Sequence, residues 1–450
     1  MSRTLASAPT INPVASFMAA GSHILQTLSL ATTLRMARLL LSLALTCALA
    51  RHLGGSGFGH IAVAMALVSI LLSVGELGFA RYTVRELMKP GSDQPAVLGI
   101  TITARFIVSA ALFVGLIAWT GWRKPEGALL LIVYGTQLLT NPATETLAWL
   151  EAHGRVANAV IAQFIGFIIS AVCIAIGIWN HAPLWFFALT YALEGWVFIA
   201  LCCFVFWRHG GRILPRAFTF QRAFALVSRS WPELASQAAL ILLFRLDTMM
   251  IQWLRGTEEA GIYGAAVRVS EMAYFIPGIL ATLFLPRLME ARQNNTALYE
   301  KRVVDYLSTS VIFAVAVAAG LLILSPWMST AFGSEFARSS EMLRVHAWAF
   351  IPFAVGIART QILTAEDRLA DNLTSVILAV VINAWLNMEW IPKHGGIGAA
   401  WATLVSYTLA WIIWTYCSPD LRRHVSGFMT RTFVGLPRFT LVRVRSLLHV

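Results

Sequence analysis

Charged residues are scarce in this chain of 450 residues: Asp, Glu, Lys and Arg make up 12% of it, while hydrophobic residues make up 58%. A soluble globular protein carries about 25% charged residues. A soluble chain of this length would need several domains, each with its own polar surface. The polar residues are too few to cover such surfaces, so the composition predicts a protein that crosses the membrane many times.

Motifs for nucleotide hydrolysis, metal binding and nucleophilic catalysis are also absent from the sequence. It contains no G-x-x-x-x-G-K-[ST], H-E-x-x-H, C-x-x-C or G-x-S-x-G segment. Its five cysteines lie in or next to apolar segments, without the spacing of metal ligands. We therefore expect no catalytic residues, no metal and no cofactor, and we expect any transport to be driven by a gradient or by the membrane potential.

Basic residues outnumber acidic ones and give the chain a formal net charge of +12. Such an excess also occurs in proteins that bind nucleic acid. Here, however, the basic residues lie in loops between apolar segments, where Lys and Arg determine membrane topology. We therefore expect the lipid bilayer, and not nucleic acid, to be the partner.

Apolar segments long enough to cross a membrane recur along the whole chain. A transmembrane helix needs about 20 predominantly apolar residues, and a helix satisfies its own backbone hydrogen bonds inside lipid. The sequence therefore predicts an all-α polytopic membrane protein with about twelve transmembrane helices. The predicted spans are 29–50, 58–79, 97–119, 127–149, 156–178, 184–206, 231–253, 262–285, 304–325, 345–364, 372–392 and 397–417.

The most basic loop, residues 207–230, contains five arginines and separates six predicted spans from six others. We therefore predict two pseudo-symmetric six-helix bundles at 29–206 and 231–418, joined by this linker. The linker and the tails at 1–28 and 419–450 are expected on the cytoplasmic side, because basic loops stay there. An even number of spans in each half relates the halves by an axis along the membrane normal.

A glycine-bearing turn occurs twice, once after the first predicted span and once after the seventh. The first copy runs from Arg51 to Gly59, and the second runs from Leu254 to Gly264, about half a chain length later. Internal duplication of this kind is typical of membrane transporters, in which the solute pathway lies between the two halves. The repeat therefore predicts a transporter.

Several arginines fall inside the predicted spans, where an ionisable residue costs at least about 2.5 kcal/mol at mid-depth and is expected to face a cavity or a partner. Arg35 and Arg38 lie three residues apart on one face of the first span, with no acid within one helical turn. Arg359 likewise has no close acid within its own span. Because the planar guanidinium binds phosphate with a fork of donors, these residues favour an anionic, phosphate-bearing solute.

Two further sets of charges admit two interpretations. Arg245 and Asp247 lie two residues apart in the seventh span, and Arg268 and Glu271 lie three apart in the eighth. Each set is explained equally well as a structural pair, which for Arg245 and Asp247 would run through a neighbouring residue, and as part of a binding site.

Four segments, spread over about residues 25–418, resemble those of a known family. Ala50–Gly59 is similar to the family's R-x-L-G-x-x-x-F-G pattern, and Arg245–Ile251 is similar to its R-x-D segment, which runs on into Ala260–Glu271. The other two segments are Leu324–Phe336 and Gly395–Thr403. On these segments the chain resembles the polysaccharide flippases of the Wzx type, in the MATE-like exporter superfamily.

The resemblance implies two six-helix bundles that open alternately to the two sides of the bacterial inner membrane. It implies transport of an undecaprenyl-pyrophosphate-linked oligosaccharide to the periplasmic leaflet for O-antigen, capsule or exopolysaccharide synthesis. Coupling to H⁺ or Na⁺, and a polysaccharide polymerase as a partner, belong to the same expectation. The resemblance assigns four arginines to substrate binding: Arg35, Arg38, Arg245 and Arg268. It assigns Asp247 and Glu271 to binding of the coupling ion. Arg359 is a further candidate for substrate binding because of its position within a span, and not because of the resemblance.

An ion-coupled multidrug or metabolite exporter of the same fold is the main alternative. Exporters of cationic drugs need an acidic or aromatic cavity, whereas basic residues prevail in these spans. A membrane polymerase or glycosyltransferase usually carries a large extracytoplasmic loop, and no such loop is predicted. A non-transporting scaffold leaves the duplication and the charges unexplained, so we predict a flippase and not an enzyme.

Overall fold

The computed structural model describes residues 13–417 together with Gly427 and Thr430, and it describes side chains from Thr33 onward except that of Leu369. All regular secondary structure in this part of the chain is helical. The composition and the long apolar segments predict this result.

Both predicted tails extend beyond the described residues. The tail at 419–450 lies outside them except at Gly427 and Thr430, and so do residues 1–12 of the tail predicted at 1–28. The first helix begins at Pro13, within that predicted tail.

The α-helices are α1 (Pro13–Gly75), α2 (Phe79–Leu87), α3 (Gln94–Arg123), α4 (Ala128–Gly135), α5 (Gln137–Thr140), α6 (Glu145–Ala152), α7 (Val156–Trp179), α8 (Leu184–Arg208), α9 (Phe220–Arg255), α10 (Thr257–Met272), α11 (Phe275–Asn294), α12 (Thr296–Leu324), α13 (Met328–Phe332), α14 (Ser339–Ala365), α15 (Leu369–His394), α16 (Gly396–Tyr407) and α17 (Trp414–Cys417).

Ten helical segments in the described part are long and apolar enough to cross a membrane. The first of them, Thr33–Gly75, holds two predicted spans, because α1 is interrupted at Gly54 with φ 67° and ψ −179°. Gly256 makes the equivalent break between α9 and α10, with φ 92° and ψ 179°. The fourth predicted span is divided into α4, α5 and α6. The break between α4 and α5 is at Thr136, and a 3-10 turn separates α5 from α6. This turn contains Pro142, which has no backbone N–H to donate within a helix. Counted in this way, the described residues form the twelve predicted spans, in two six-helix bundles.

The two copies of the repeated turn pack against each other and join the halves. Here α1 and α10 approach so closely that a Cβ added to Gly59 would overlap the carbonyl oxygen of Thr257, and one added to Gly261 would overlap that of Gly55. Reciprocal contacts of small residues spaced four apart are typical of helices packed in membranes. The paired turns therefore close one end of the bundle.

Two acidic side chains secure the same end by accepting backbone N–H groups at the starts of helices, where the helix dipole favours negative charge. Glu335 accepts the N–H of Gly55 at 2.9 Å. Glu259 accepts the N–H of Gly396 at 2.8 Å and forms an ion pair with Arg338 at 2.7 Å. These contacts tie the α13–α14 connection and the start of α16 to the paired turns.

Substitution of Gly261 by leucine is expected to lower the free energy of unfolding by about 1–3 kcal/mol, the usual cost of overpacking a close contact. The new side chain has to displace the backbone of Gly55. Gly115→Leu is the matched control, because a Cβ at Gly115 meets no atom within 4 Å. Thermal unfolding of the purified protein in detergent measures the difference, and an equal Tm for the two variants would contradict the close contact.

Candidate functional site

A cavity of 880 Å³ lies between the two halves, within the range of about 300–1,000 Å³ that is usual for ligand sites. Its walls come from α1, α4, α5, α7 and α8 of the N-terminal half and from α10 and α11 of the C-terminal half. Arg35 lies on the cavity wall. From the number of residues between them and the rise per residue of an α-helix, Arg35 is about 28 Å from Gly54 along α1. The cavity therefore extends away from the end that the paired turns close.

Charged side chains from both halves line this cavity, and arginines outnumber glutamates among them. They are Arg35, Arg38, Glu194, Arg268 and Glu271. The structure thus brings together three of the arginines predicted to bind substrate and one of the acids predicted to couple an ion. It adds Glu194, which lies within a predicted span but was not among the candidates.

Glu194 supplies the acid that the sequence around Arg38 lacks. Its Oε1 accepts a hydrogen bond from Nη2 of Arg38 at 2.6 Å, and Cζ of Arg38 lies 5.7 Å from the centroid of the Phe167 ring. The two charged residues are 156 positions apart in the chain. No acid lies within one helical turn of Arg38 in the sequence, and its acidic partner comes from another helix, α8. The assignment of Arg38 to the substrate stays a prediction.

The charges of the seventh and eighth spans pair between helices. Arg245 donates from Nη1 to Oε1 of Glu271 at 2.8 Å. Arg268 and Glu271 form no ion pair in the described structure, so the structural pairing that sequence spacing left open for them is wrong. Arg245 and Asp247 form no direct ion pair there either. Nη2 of Arg268 lies 2.9 Å from Sδ of Met65, a thioether that carries no charge.

Arg35 and Arg268 are left without a carboxylate partner within residues 33–417. Glu194 and Glu271, the acids of the cavity wall, pair with other arginines. Arg35 belongs to the N-terminal half and Arg268 to the C-terminal half, so each half contributes an uncompensated positive charge to the cavity wall. An anion with several oxygens could accept charge-assisted hydrogen bonds from both halves.

Asp247 lies outside the cavity wall, inside the C-terminal half, and is only 5% exposed. Three neutral donors contact its carboxylate: Tyr263 Oη at 2.6 Å, Thr403 Oγ1 at 2.5 Å and Asn387 Nδ2 at 2.7 Å. Asn387 also donates to Asn383 at 3.0 Å, one turn away on α15. Among the described side chains, no basic group pairs with Asp247, although buried charges usually need a partner of opposite sign.

Arg359 is fully buried and lies apart from the cavity wall. Its Nε donates to Thr415 Oγ1 at 2.9 Å, and its Nη2 donates to Ser375 Oγ at 2.8 Å. These hydrogen bonds connect α14 to α17 and α15, which is a structural role. The assignment of Arg359 to the substrate therefore stays a prediction that no contact with the cavity supports.

Uncharged polar side chains complete the cavity wall and were not among the sequence candidates. Gln137 and Gln163 lie on it beside Tyr134 and Tyr191, and Nε2 of Gln137 donates to the carbonyl oxygen of Tyr191 at 3.2 Å. A glutamine within an apolar span is a usable signal, because such residues face a cavity or a partner. No group of three or more His, Cys, Asp or Glu side chains suited to a metal ion occurs in the part of the chain that the structure describes.

Sequence comparison places this chain among proteins of polysaccharide synthesis. The family described as "Polysaccharide biosynthesis protein" matches residues 24–291. The succinoglycan biosynthesis transport protein ExoT of Rhizobium meliloti is 24% identical over 339 residues, which are 70% of this chain and 65% of that protein. The "Probable low-salt glycan biosynthesis flippase Agl15" of Haloferax volcanii is 24% identical over 193 residues, which are 42% of this chain and 41% of that protein. The chain thus matches less than two thirds of the length of each relative.

Two solved structures share the fold over nearly the whole chain. The lipid II flippase MurJ, in an inward closed conformation, has a TM-score of 0.72 with 14% identity over 90% of this chain and 92% of that one. An inward-facing multidrug resistance MATE family transporter of the MOP superfamily has a TM-score of 0.69 with 15% identity over 88% of this chain and 99% of that one. The two-bundle arrangement is therefore the MATE-like fold of a multi-pass membrane protein.

Proposed function

Because the chain belongs to the polysaccharide biosynthesis protein family, we propose that it is a transporter, and not an enzyme, that flips a lipid-linked oligosaccharide. The substrate is an oligosaccharide on undecaprenyl pyrophosphate, moved from the cytoplasmic to the periplasmic leaflet of the bacterial inner membrane. The names of the relatives, which refer to glycan and succinoglycan biosynthesis, support this proposal. The product would pass to a polysaccharide polymerase.

The observation that carries the proposal is the pair of uncompensated arginines on the cavity wall, Arg35 from the N-terminal half and Arg268 from the C-terminal half. A pyrophosphate group carries several negative oxygens, and a guanidinium binds two of them at once with its planar fork. A cationic drug would be repelled by the same two groups. The cavity charge therefore favours a phosphate-bearing solute over the exporter alternative.

Substrate binding at these arginines would act on both halves at once. The ion pair Arg38–Glu194 lies within the N-terminal half and Arg245–Glu271 lies within the C-terminal half, so neither has to break when the halves move apart. A pyrophosphate held by Arg35 and Arg268 would connect the halves across the cavity. A ligand shifts a conformational equilibrium only if it binds one conformation more tightly than the other, and a contact with both halves depends on how far apart they are.

Asp247 and Glu271 remain the candidates for ion coupling. Asp247 is the stronger candidate, because neutral donors alone surround its carboxylate. A proton or a sodium ion at this carboxylate would neutralise a buried charge that no described basic residue compensates. Glu271 already pairs with Arg245, so a cation there has to compete with a guanidinium.

Replacing Asp247 by asparagine is expected to remove the dependence of transport on the coupling gradient. If the gradient contributes about 1.4 kcal/mol to the rate-limiting barrier, its loss lowers the rate about tenfold. Flipping in proteoliposomes, with and without a proton or sodium gradient, measures this effect. Glu389→Gln is the control, because Glu389 is an exposed acid paired with Lys393. A variant at Asp247 that still responds to the gradient would exclude this site.

Cells that lack the protein test the proposed function directly. We expect prenyl-pyrophosphate-linked oligosaccharide to accumulate on the cytoplasmic leaflet of the deletion strain and to return to normal when the wild-type protein is expressed. Intact surface polysaccharide without accumulation, in a strain with no redundant flippase, would rule out the flippase. Drug resistance on expression would then support the exporter alternative.

A further inference from the structure

Each half of the protein has a smaller pocket at the helix ends opposite the paired turns. The pocket of the N-terminal half measures 350 Å³ and lies between the start of α3, the α6–α7 turn and the segment after α8. The pocket of the C-terminal half measures 540 Å³ and lies between the end of α11, the start of α12 and the α14–α15 turn. Gln94 is at the start of α3 and Thr296 is at the start of α12. The number of residues from Gln94 to Thr296 equals the number from Gly54 to Gly256. The two pockets are therefore equivalent products of the duplication.

Acidic groups compensate the positive charge of the C-terminal pocket. Arg368 forms an ion pair with Asp371 at 2.7 Å. Glu366 lies on the pocket wall and accepts a hydrogen bond from Tyr299 Oη at 2.8 Å. Arg292 donates to the carbonyl oxygen of Ala365. This pocket therefore has little need of an anionic ligand.

The N-terminal pocket has no such compensation. Two arginines, Arg155 and Arg212, and two histidines, His153 and His209, line it, and no carboxylate does. Neither arginine has an acidic partner within 4 Å among the residues that the structure describes. The duplication therefore provides an internal comparison, because the C-terminal pocket has an acid on its wall and the N-terminal pocket has none.

Neighbouring contacts hold the N-terminal pocket in shape. The ring of His153 stacks on Trp149 with centroids 3.9 Å apart, and its Nδ1 is 2.9 Å from the carbonyl oxygen of Trp149. The N–H of Leu214 donates to the carbonyl oxygen of Pro95 at 2.9 Å, which fixes the linker beside the start of α3 and places Arg212 there. These contacts fix the α6–α7 turn and the linker on two sides of the pocket.

Exposed apolar side chains that are close in sequence to the pocket residues indicate what kind of anion the pocket takes. Trp207 and Phe204 lie two and five residues before His209 and are 65% and 59% exposed, and Val156, directly after Arg155, is 42% exposed. Tryptophan at this position is typical of the membrane–water interface. A free phosphate ion needs no apolar surface, whereas the acyl chains of a lipid do.

We propose that the N-terminal pocket binds the phosphate of an anionic membrane phospholipid. Arg155 and Arg212 donate to the phosphodiester oxygens, and the acyl chains lie against Phe204, Trp207 and Val156. Basic pockets at the ends of transmembrane helices bind anionic headgroups in this way. The bound lipid holds the linker between the two halves to α3 and to the α6–α7 turn, and the site is separate from the central cavity.

Native mass spectrometry of the purified full chain tests the proposal, with phosphatidylglycerol as the anionic probe and phosphatidylcholine as the zwitterionic one. Arg155→Gln/Arg212→Gln is expected to weaken the binding of phosphatidylglycerol at least about tenfold, because both charge-assisted contacts are lost. The matched control is Arg292→Gln/Arg368→Gln in the equivalent pocket, and it should bind as the wild type does. Arg212→Gln alone changes an exposed side chain, so it should not disturb folding. It should weaken the binding of phosphatidylglycerol less than the double variant does, and this smaller loss would not be explained by misfolding.

Three results would overturn the proposal. Equal binding of phosphatidylglycerol by the double variant and the wild type would show that the pocket is not the site. Equal weakening by the control variant would show that only net charge matters. Full competition by inorganic phosphate at millimolar concentration would assign the pocket to a free phosphate. None of these measurements uses the transported substrate, so they are decided separately from the proposed function.

Discussion

Substitution of both Arg35 and Arg268 by alanine is expected to lower the rate of flipping at least about a hundredfold, because each charge-assisted hydrogen bond to phosphate contributes about 1.5–3 kcal/mol and 2.7 kcal/mol corresponds to a hundredfold. The two residues carry the uncompensated charge of the cavity. The readout is the amount of prenyl-pyrophosphate-linked oligosaccharide on the cytoplasmic leaflet of a deletion strain that expresses the variant.

Two further variants make this result interpretable. Lysine at both positions keeps the charge but loses the planar fork, so it should restore part of the activity. Arg222→Ala removes an exposed arginine of the linker and should leave flipping unchanged. If a stably expressed double alanine variant complemented the deletion as well as the wild type does, the head-group site would be elsewhere.

The second large effect is expected on stability, at a buried ion pair of the N-terminal half. Arg105 and Glu145 are 2% and 0% exposed and lie 2.5 Å apart, and Asn141 accepts a further hydrogen bond from Arg105 at 3.1 Å. Arg105→Ala leaves a buried carboxylate without its partner, which costs about 3–5 kcal/mol. Thermal or denaturant-induced unfolding of the purified protein measures the loss.

Removal of both charges separates the cost of an orphaned carboxylate from the value of the pair itself. Arg105→Leu/Glu145→Leu should recover much of the stability, because apolar replacement of a whole buried pair is often neutral. Lys393→Ala breaks the exposed pair with Glu389 and should cost no more than about 1 kcal/mol. A similar Tm for Arg105→Ala and Lys393→Ala would contradict the burial of the pair.

Much of the fold could be predicted from the order of residues alone. Apolar length predicts the spans, because a helix must be long enough to cross the bilayer and must satisfy its own backbone. The repeat at Gly54 and Gly256 predicts the duplication, and the structure gives both glycines positive φ values. The excess of arginine within the spans predicts a basic cavity, and the cavity wall contains three of those arginines.

The charge pairs could not be predicted in the same way. Spacing along one helix suggested that Arg268 pairs with Glu271 and Arg245 with Asp247, whereas the structure pairs Arg245 with Glu271. Arg38 finds its partner 156 positions away. Which face of a helix meets which neighbour depends on the rotation and crossing of packed helices, and sequence spacing within a single helix does not contain that information.

The sequence by itself determined that this protein crosses the membrane, that it is duplicated and that its spans carry an excess of arginine, because hydrophobic length, repetition and composition are properties of the linear chain. Only the tertiary structure decided which charges remain free. It neutralises Arg38 and Arg245, buries Arg359 away from the cavity and leaves Arg35 and Arg268 on the cavity wall without a described carboxylate partner. The physical reason is that compensation of a charge requires a partner within about 4 Å, and that distance is set by how the helices pack.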